Sequence, residues 1–73
     1  MKSAPTPQFL LGRNVVQLRT GAGWTQEKLA ERAGVSGRYL QEIESGFANA
    51  SLAILTQLRL ALDCSWDELL GGR

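Results

Sequence analysis

Apolar residues recur along most of this chain at the three- and four-residue spacing of amphipathic helices. Hydroxyl-bearing and glycine residues interrupt that pattern where helices are expected to begin and end. In the first helix Thr6 is the predicted N-cap, Pro7 the first helical residue, and Leu11, Val15 and Leu18 the core stripe. No segment alternates with the period of two that marks a half-buried strand. The pattern therefore predicts an all-α fold.

Two short amphipathic helices joined by a glycine-centred turn occupy the middle of the chain. The first begins at the predicted cap Thr25 and ends at Gly34, where a left-handed conformation costs glycine little. The second spans residues 36–45, begins at the predicted cap Ser36, and directs Leu40 and Ile43 inward. This arrangement predicts a helix-turn-helix unit, whose second helix is short and exposed enough to enter a DNA major groove.

Two further helices complete the predicted domain. Ser51 caps the fourth, which places four leucines on one face: Leu52, Leu55, Leu58 and Leu62. Ser65 and Glu68 form a capping box that opens a last short helix ending at Leu70. We therefore expect a flexible tail over residues 1–5 and one compact five-helix domain over residues 6–73.

The charge is small overall but unevenly distributed. The chain has 73 residues and a formal net charge of +1. Residues 1–38 contain six lysines and arginines against two glutamates, whereas residues 39–73 contain two arginines against five acids. A basic half beside an acidic half fits a polyanionic partner bound on one side only. The low total counts against a nucleic-acid binder.

Composition excludes several classes of function. Histidine is absent, and no carboxylates or cysteines cluster at metal-ligand spacing, so we expect no enzyme, no metal site and no cofactor. The single cysteine, Cys64, cannot form an intrachain disulfide, which fits a reducing cytoplasm and a small buried side chain. No segment approaches the roughly 20 apolar residues of a membrane span. No small-molecule ligand is evident, and we expect no membrane partner.

The outward face of the helix at residues 36–45 can be derived from its inward residues. With Leu40 and Ile43 in the core, the polar side chains on the other side form one arc. That arc comprises Arg38, Gln41, Glu42 and Ser45, with Gly37 at its N-terminal edge. Arg38 has the geometry to bind guanine through two hydrogen bonds, and Glu42 can accept one from cytosine N4. The alternative for Glu42 is a solvated surface charge.

Four sequence strings occur together in a recognisable order: LGRNVVQLR, GWTQEKLAERAGVS, YLQEIESG and SWDELL. In this order and spacing the chain resembles the lambdoid phage repressor and Cro family of helix-turn-helix proteins, also called the Xre family. Its length is similar to that of the small controllers of restriction–modification systems. The resemblance implies a compact five-helix, lambda-repressor-like DNA-binding domain with a central helix-turn-helix.

The resemblance also implies roles for individual residues. Gly37, Arg38 and Glu42 match the base-reading positions of the family, and the outward arc adds Gln41 to this set. The residues expected to contact the DNA backbone are Arg13, Arg19, Gln26, Ser36, Tyr39, Ser45 and Asn49. Gln26 lies in the first turn of its helix, whose positive end favours an anion; the alternative is an ordinary exposed glutamine.

Two features of the scaffold follow from the same resemblance. Arg19 and Glu44 match an arginine–glutamate pair that ties the first helix to the end of the recognition helix. This pair either holds the arginine near a phosphate or is a structural ion pair. Trp66, Leu69 and Leu70 match the end of the domain that forms dimer contacts; the alternative is that Trp66 covers the core.

The sequence thus predicts a sequence-specific DNA-binding transcriptional regulator. We expect it to bind a two-fold symmetric operator in double-stranded DNA as a homodimer, through the helix at residues 36–45. RNA polymerase is a further candidate partner. The alternative is a protein–protein interaction module that keeps the helix-turn-helix scaffold and has little affinity for DNA.

Overall fold

Five α-helices follow one another in the computed structural model, which describes residues 6–71. They are α1 (Pro7–Gly21), α2 (Gln26–Ala33), α3 (Gly37–Ser45), α4 (Leu52–Leu62) and α5 (Trp66–Leu70). No strand occurs within residues 6–71, so the predicted all-α, five-helix fold is confirmed. The tail predicted for residues 1–5 and the last two residues lie outside the described part. Within that part, no helix is both long and apolar enough to cross a membrane.

Every helix begins at a hydroxyl side chain. In each case the hydroxyl oxygen accepts a hydrogen bond from the backbone N–H three residues later, which satisfies one of the free donors of the first turn. The capping residues are Thr6, Thr25, Ser36, Ser51 and Ser65. Because these caps are local sequence features, all five could be predicted, together with the capping box between Ser65 and Glu68.

The core draws side chains from all five helices. Six large apolar residues have less than 2% of their surface exposed: Val15, Leu29, Leu40, Ile43, Leu58 and Leu69. Leu40 and Ile43 turn inward from α3 as predicted, so the polar side of that helix must face outward. Cys64 is also buried beside this core.

The predicted core stripe of α4 is wrong at one position. Leu52 is 72% exposed, whereas Leu58 is fully buried. Leu52 lies six residues before Leu58, which places it about 120° away around the helix. Ile54 and Ala61 lie closer to the direction of Leu58 and pack against the core instead.

The prediction that Leu69 lies at a dimer interface is also wrong. Its side chain is 0% exposed, so it is a core residue of the subunit and offers no surface to a partner. Its burial is reinforced by the backbone, because Asn14 on α1 donates hydrogen bonds to the carbonyl oxygens of Leu69 at 2.9 Å and Gly71 at 2.8 Å. These bonds satisfy a buried amide side chain and hold α5 against α1.

Candidate nucleic-acid interface

The outward face of α3 carries the residues predicted to read bases. Arg38, Gln41, Glu42 and Ser45 are all exposed, and Gly37 is exposed at the first position of the helix. The opposite side of the helix is occupied by Leu40 and Ile43 in the core. The structure therefore brings the predicted base-reading set together on one polar helix face.

Arg38 and Glu42 face each other on this surface. The Arg38 Nε and Glu42 Oε2 atoms are 3.9 Å apart, and the two side chains are 90% and 50% exposed. An ion pair this long and this exposed contributes little to stability. Both side chains can therefore leave the pair at small cost in free energy and make hydrogen bonds to a binding partner instead.

A hydrogen-bonded network centred on Glu44 fixes the C-terminal end of α3. Arg19 Nε donates to Glu44 Oε2 at 2.7 Å, and Arg19 Nη2 donates to Glu44 Oε1 at 3.2 Å. Arg19 Nη1 donates to the carbonyl oxygen of Trp24 at 2.8 Å. The Gln26 amide also donates to Glu44 Oε1, at 2.7 Å. Because these residues come from α1, α2 and α3, the network ties all three helices together.

Burial makes this network part of the scaffold. The side chains of Arg19 and Glu44 are only 14% and 5% exposed. Arg19 is thus a structural partner of Glu44, and Gln26 shares that position. Contact between DNA phosphates and either Arg19 or Gln26 stays a prediction, since the donors described above point to protein acceptors.

Gly12 is a positioning residue that the sequence analysis missed. A Cβ atom at Gly12 would lie 2.4 Å from the carbonyl oxygen of Ile43 and 2.7 Å from that of Glu44. The backbone of α1 therefore passes directly against the end of α3, which only glycine permits. A glycine inside an otherwise helical pattern was the available signal for such a close approach.

The predicted backbone-contacting residues around α3 occupy mixed environments. Ser36 is exposed, and its hydroxyl caps α3 by accepting from the Tyr39 N–H at 3.0 Å. Tyr39 is half-buried and packs against the core. The Ser45 hydroxyl donates to the carbonyl oxygen of Glu42 at 3.1 Å. Exposed polar atoms thus surround the α3 face, while Tyr39 is shared between that surface and the core.

The remaining two predicted backbone contacts lie on α1 and in the loop after α3. Arg13 is exposed on α1, and Asn49 is exposed in the loop at residues 47–50. The Asn49 side-chain oxygen accepts a hydrogen bond from the Gln8 amide. This bond joins the loop to the first turn of α1 and fixes the position of the backbone that leads into α4.

Two arginine–tryptophan stacks are further features that the sequence did not reveal. Arg32 lies over the Trp24 ring and Arg59 lies over the Trp66 ring, each 5.1 Å from the ring centroid. Cation–π contacts join residues from different turns or helices, and no sequence period signals them. The Trp66 side chain remains 39% exposed and Leu70 45% exposed, so the predicted interface residues other than Leu69 do reach the surface.

Comparison with known proteins agrees with this geometry. The helix-turn-helix family model matches residues 15–69. The chain is 40% identical over 60 residues to the uncharacterised HTH-type transcriptional regulator y4dJ of Sinorhizobium fredii, covering 82% of this chain and 78% of that protein. It is 36% identical over 62 residues to the HTH-type transcriptional regulator SinR of Bacillus subtilis, covering 84% of this chain but 56% of SinR.

A solved structure shows the same fold. The restriction–modification controller protein C.AhdI of Aeromonas hydrophila superimposes with a TM-score of 0.81 at 35% identity, covering 85% of this chain and 94% of C.AhdI. The family match, the relatives and the similar structure all indicate a helix-turn-helix regulator, in agreement with the exposed polar face of α3. The chain belongs to the helix-turn-helix family of DNA-binding transcriptional regulators, as its sequence pattern predicted.

Proposed function

We propose that this protein is a sequence-specific regulator that binds a two-fold symmetric operator as a homodimer, with α3 in the major groove. The observation that carries the proposal is the way in which α3 is held against the rest of the domain. Its polar face is fully outward, while Gly12 and the Arg19–Glu44 pair hold its far end rigidly. A helix fixed in this way can present side chains to bases with little loss of conformational entropy on binding.

Arg38 and Glu42 are the proposed specificity residues. The Arg38 guanidinium can donate two hydrogen bonds to the O6 and N7 atoms of guanine, and the Glu42 carboxylate can accept from the N4 amino group of cytosine. The positive charge of Arg38 on the neighbouring turn also offsets the repulsion between Glu42 and nearby phosphates. Gln41 and Gly37 complete the face, where the glycine allows the backbone to approach DNA closely.

Few side-chain cations are available for the phosphates. Val16 on α1 and Phe47, which is 87% exposed in the loop after α3, provide no positive charge for the DNA backbone. Arg13 is an exposed arginine on α1, and backbone N–H groups near Asn49 can also donate hydrogen bonds to phosphates. A single subunit is therefore expected to bind weakly, so a dimer on two half-sites is needed for a stable complex.

The likeness to C.AhdI, a restriction–modification controller protein, supports a regulator of that type. Occupying its operator would allow such a dimer to exclude or to contact RNA polymerase. No chemical step is required of the protein.

Retardation of duplex DNA in a gel, measured over a series of salt concentrations, tests the proposal. Each neutralised phosphate contributes about −0.9 to the slope of log affinity against log salt, so a dimer with few cationic contacts should give roughly −4 to −6. Changing Arg13→Gln should make the slope shallower. Arg32→Gln removes a charge that is stacked on Trp24 and should leave the slope unchanged.

Two results would contradict the proposal. A slope near −10 in the unmodified protein would show that many more cations contact DNA than the proposed surface provides. Absence of any retardation at low salt would favour the alternative, a protein–protein interaction module built on the same scaffold.

A further inference from the structure

Helix α4 is apolar on both of its sides. Its sequence, LAILTQLRLAL, contains one charged residue, Arg59. One side packs into the core around Leu58, yet two large apolar residues on the other side, Leu52 and Leu60, are 72% and 63% exposed. A helix that is hydrophobic all round is normally buried all round, so a single subunit leaves one apolar side of α4 without a covering partner.

The exposed side of α4 is a symmetric row. Leu52, Thr56 and Leu60 are four residues apart and therefore lie on one ridge of the helix. The Thr56 hydroxyl donates to the carbonyl oxygen of Leu52 at 2.9 Å, so the residue needs no outside partner and can present its methyl group. The row thus has no charge, a small residue at its centre, and one large apolar side chain at an equal distance on either side.

A groove lies beside one end of this row. It has a volume of about 490 Å³ and runs between the C-terminal part of α2 and α4. Its lining consists of Glu31, Arg32, Ala33, Gly34, Gln57, Leu60 and Ala61. The Leu60 end of the row is therefore concave. The other end is convex, because Leu52 projects from the first turn of α4.

We propose that α4 pairs in antiparallel orientation with α4 of a second copy of this chain, crossing at Thr56. In a two-fold interface the same patch meets itself, so the patch must be self-complementary. An antiparallel crossing at Thr56 brings the exposed Leu52 of each subunit to the groove beside Leu60 of the other subunit. Rows of residues spaced by four interdigitate at a crossing angle of about −50°, the commonest class in globular proteins.

Charge and symmetry favour a second copy as the occupant. The row is uncharged, and the chain has a net charge of only +1, so two copies can approach without strong repulsion. A parallel arrangement would place Leu52 on Leu52 and leave both grooves empty. The stack of Arg59 on Trp66 lies on the flank of the row, which makes the Trp66 surface continuous with it.

This inference rests on the proposed function, because it identifies the surface through which the proposed homodimer forms. It assigns the centre of the contact to α4, whereas the sequence pointed to α5. The consequence for specificity is direct: the crossing at Thr56 would set the distance and angle between the two α3 helices, and hence the spacing of the two half-sites.

Cysteine cross-linking in the full chain tests the register. Thr56→Cys alone should form a disulfide-linked dimer on mild oxidation, because the two positions meet at the crossing and disulfides require Cα atoms about 4.4–6.8 Å apart. A mixture of Leu52→Cys and Leu60→Cys chains should link to each other, and each alone should link poorly. Leu52 and Leu60 are exposed and Thr56 is half-buried, with none of these side chains in the core, so the fold should survive.

Two controls accompany the cross-linking. Gln17→Cys on α1 is exposed and lies off the proposed face, and it should not link. The native Cys64 is buried. This burial raises the pKa of its thiol, and the nearby Glu68 carboxylate adds to the effect, so Cys64 should contribute little background cross-linking.

Leu60→Glu provides an independent readout by sedimentation. It should shift the protein to monomers while leaving the helical signal in circular dichroism unchanged, since Leu60 is exposed in the subunit. The inference is overturned if Leu52→Cys links to itself as readily as to Leu60→Cys. It is also overturned if Thr56→Cys fails to link at concentrations where sedimentation shows dimers, or if Leu60→Glu remains dimeric.

The outcomes that overturn the α4 interface can be distinguished from those that overturn the proposed DNA-binding function. If the unmodified dimer binds its operator but the α4 register is wrong, the DNA-binding proposal stands and only the interface inference falls. If the protein does not retard duplex DNA under any salt condition, the proposed function falls whatever the cross-linking shows.

Discussion

At the scale of single residues, the absence of one side chain positions the recognition helix. Gly12 lets the backbone of α1 touch the carbonyl oxygens of Ile43 and Glu44, the last turn of α3. Backbone atoms cannot move aside as the end of a flexible side chain can. The separation between α1 and α3 is therefore limited by a glycine that carries no functional group.

Changing Gly12→Ala should destabilise the domain by about 1–3 kcal/mol or more, because overpacking forces the two helices apart. Gly21→Ala is the matched control, since a Cβ there meets nothing within 4 Å and its backbone is not left-handed. That variant should be neutral or slightly more stable. Urea denaturation of both variants measures the difference; equal stabilities would show that α1 and α3 are not in close contact.

Arg38 carries a prediction about specificity. Arg38→Ala should relax the preference at one base pair of each half-site and cost about 1–3 kcal/mol in discrimination there. Stability should hardly change, because the Arg38 side chain is 90% exposed. Affinity for a set of operators with single base changes measures the effect. A variant that keeps its full preference would show that Arg38 does not read a base.

At the scale of helices, the network around Glu44 sets the orientation of α3. Breaking a buried ion pair leaves an uncompensated charge and costs about 3–5 kcal/mol. Glu44→Ala should therefore be strongly destabilising, since it leaves the charge of Arg19 unpaired and the Gln26 amide without its acceptor. Glu42→Ala is the control on the same helix, where an exposed pair contributes about 0–1 kcal/mol. Thermal denaturation that shows equal losses would contradict the assigned role.

Helix α5 divides its apolar residues between core and surface. Leu69→Ala should cost about 2–5 kcal/mol of stability, because it opens a cavity at a position that is 0% exposed. Trp66→Ala combined with Leu70→Ala should leave helicity largely intact and shift the protein to monomers in sedimentation. Loss of folding in the double variant would instead mean that both residues belong to the core.

How far the sequence predicts each helix depends on whether the deciding contact is local. Caps such as Thr25 and Ser36 are fixed by neighbours within one turn, so the sequence predicts the helix starts. The outward face of α3 followed from two inward residues. Leu52 and Leu69 were misplaced because their burial depends on how α4 and α5 rotate against the other helices, which a helical period leaves undetermined.

The candidate site shows the same limit. Arg19 and Glu44 could be paired through the family resemblance, and the structure contains that ion pair. The further attachment of Gln26 to Glu44 depends on the distance between α2 and α3. Arg59 and Trp66 lie on two different helices, so their stacking depends on the angle between α4 and α5 and could only be seen in three dimensions.

At the scale of the whole molecule, the charge balance favours binding as a symmetric pair, as proposed above. The eight lysines and arginines of the 73-residue chain are nearly balanced by seven acids, so its net charge is only +1. Two linked half-sites raise the effective concentration of the second reading helix once the first is bound. If the dimer forms through the exposed row on α4 as proposed, that row and the polar face of α3 depend on each other, because base contacts from one subunit alone would bind weakly.

Selection of binding sites from a randomised duplex pool tests the central claim most directly, because it measures sequence preference and symmetry together. The account predicts enrichment of an inverted repeat whose half-site centres are one helical turn apart, about 34–36 Å, or a multiple of it. The same selection with Arg38→Ala should keep the spacing and lose preference at one base pair of each half. Recovery of no enriched sequence, or of a single unpaired half-site, would contradict the account.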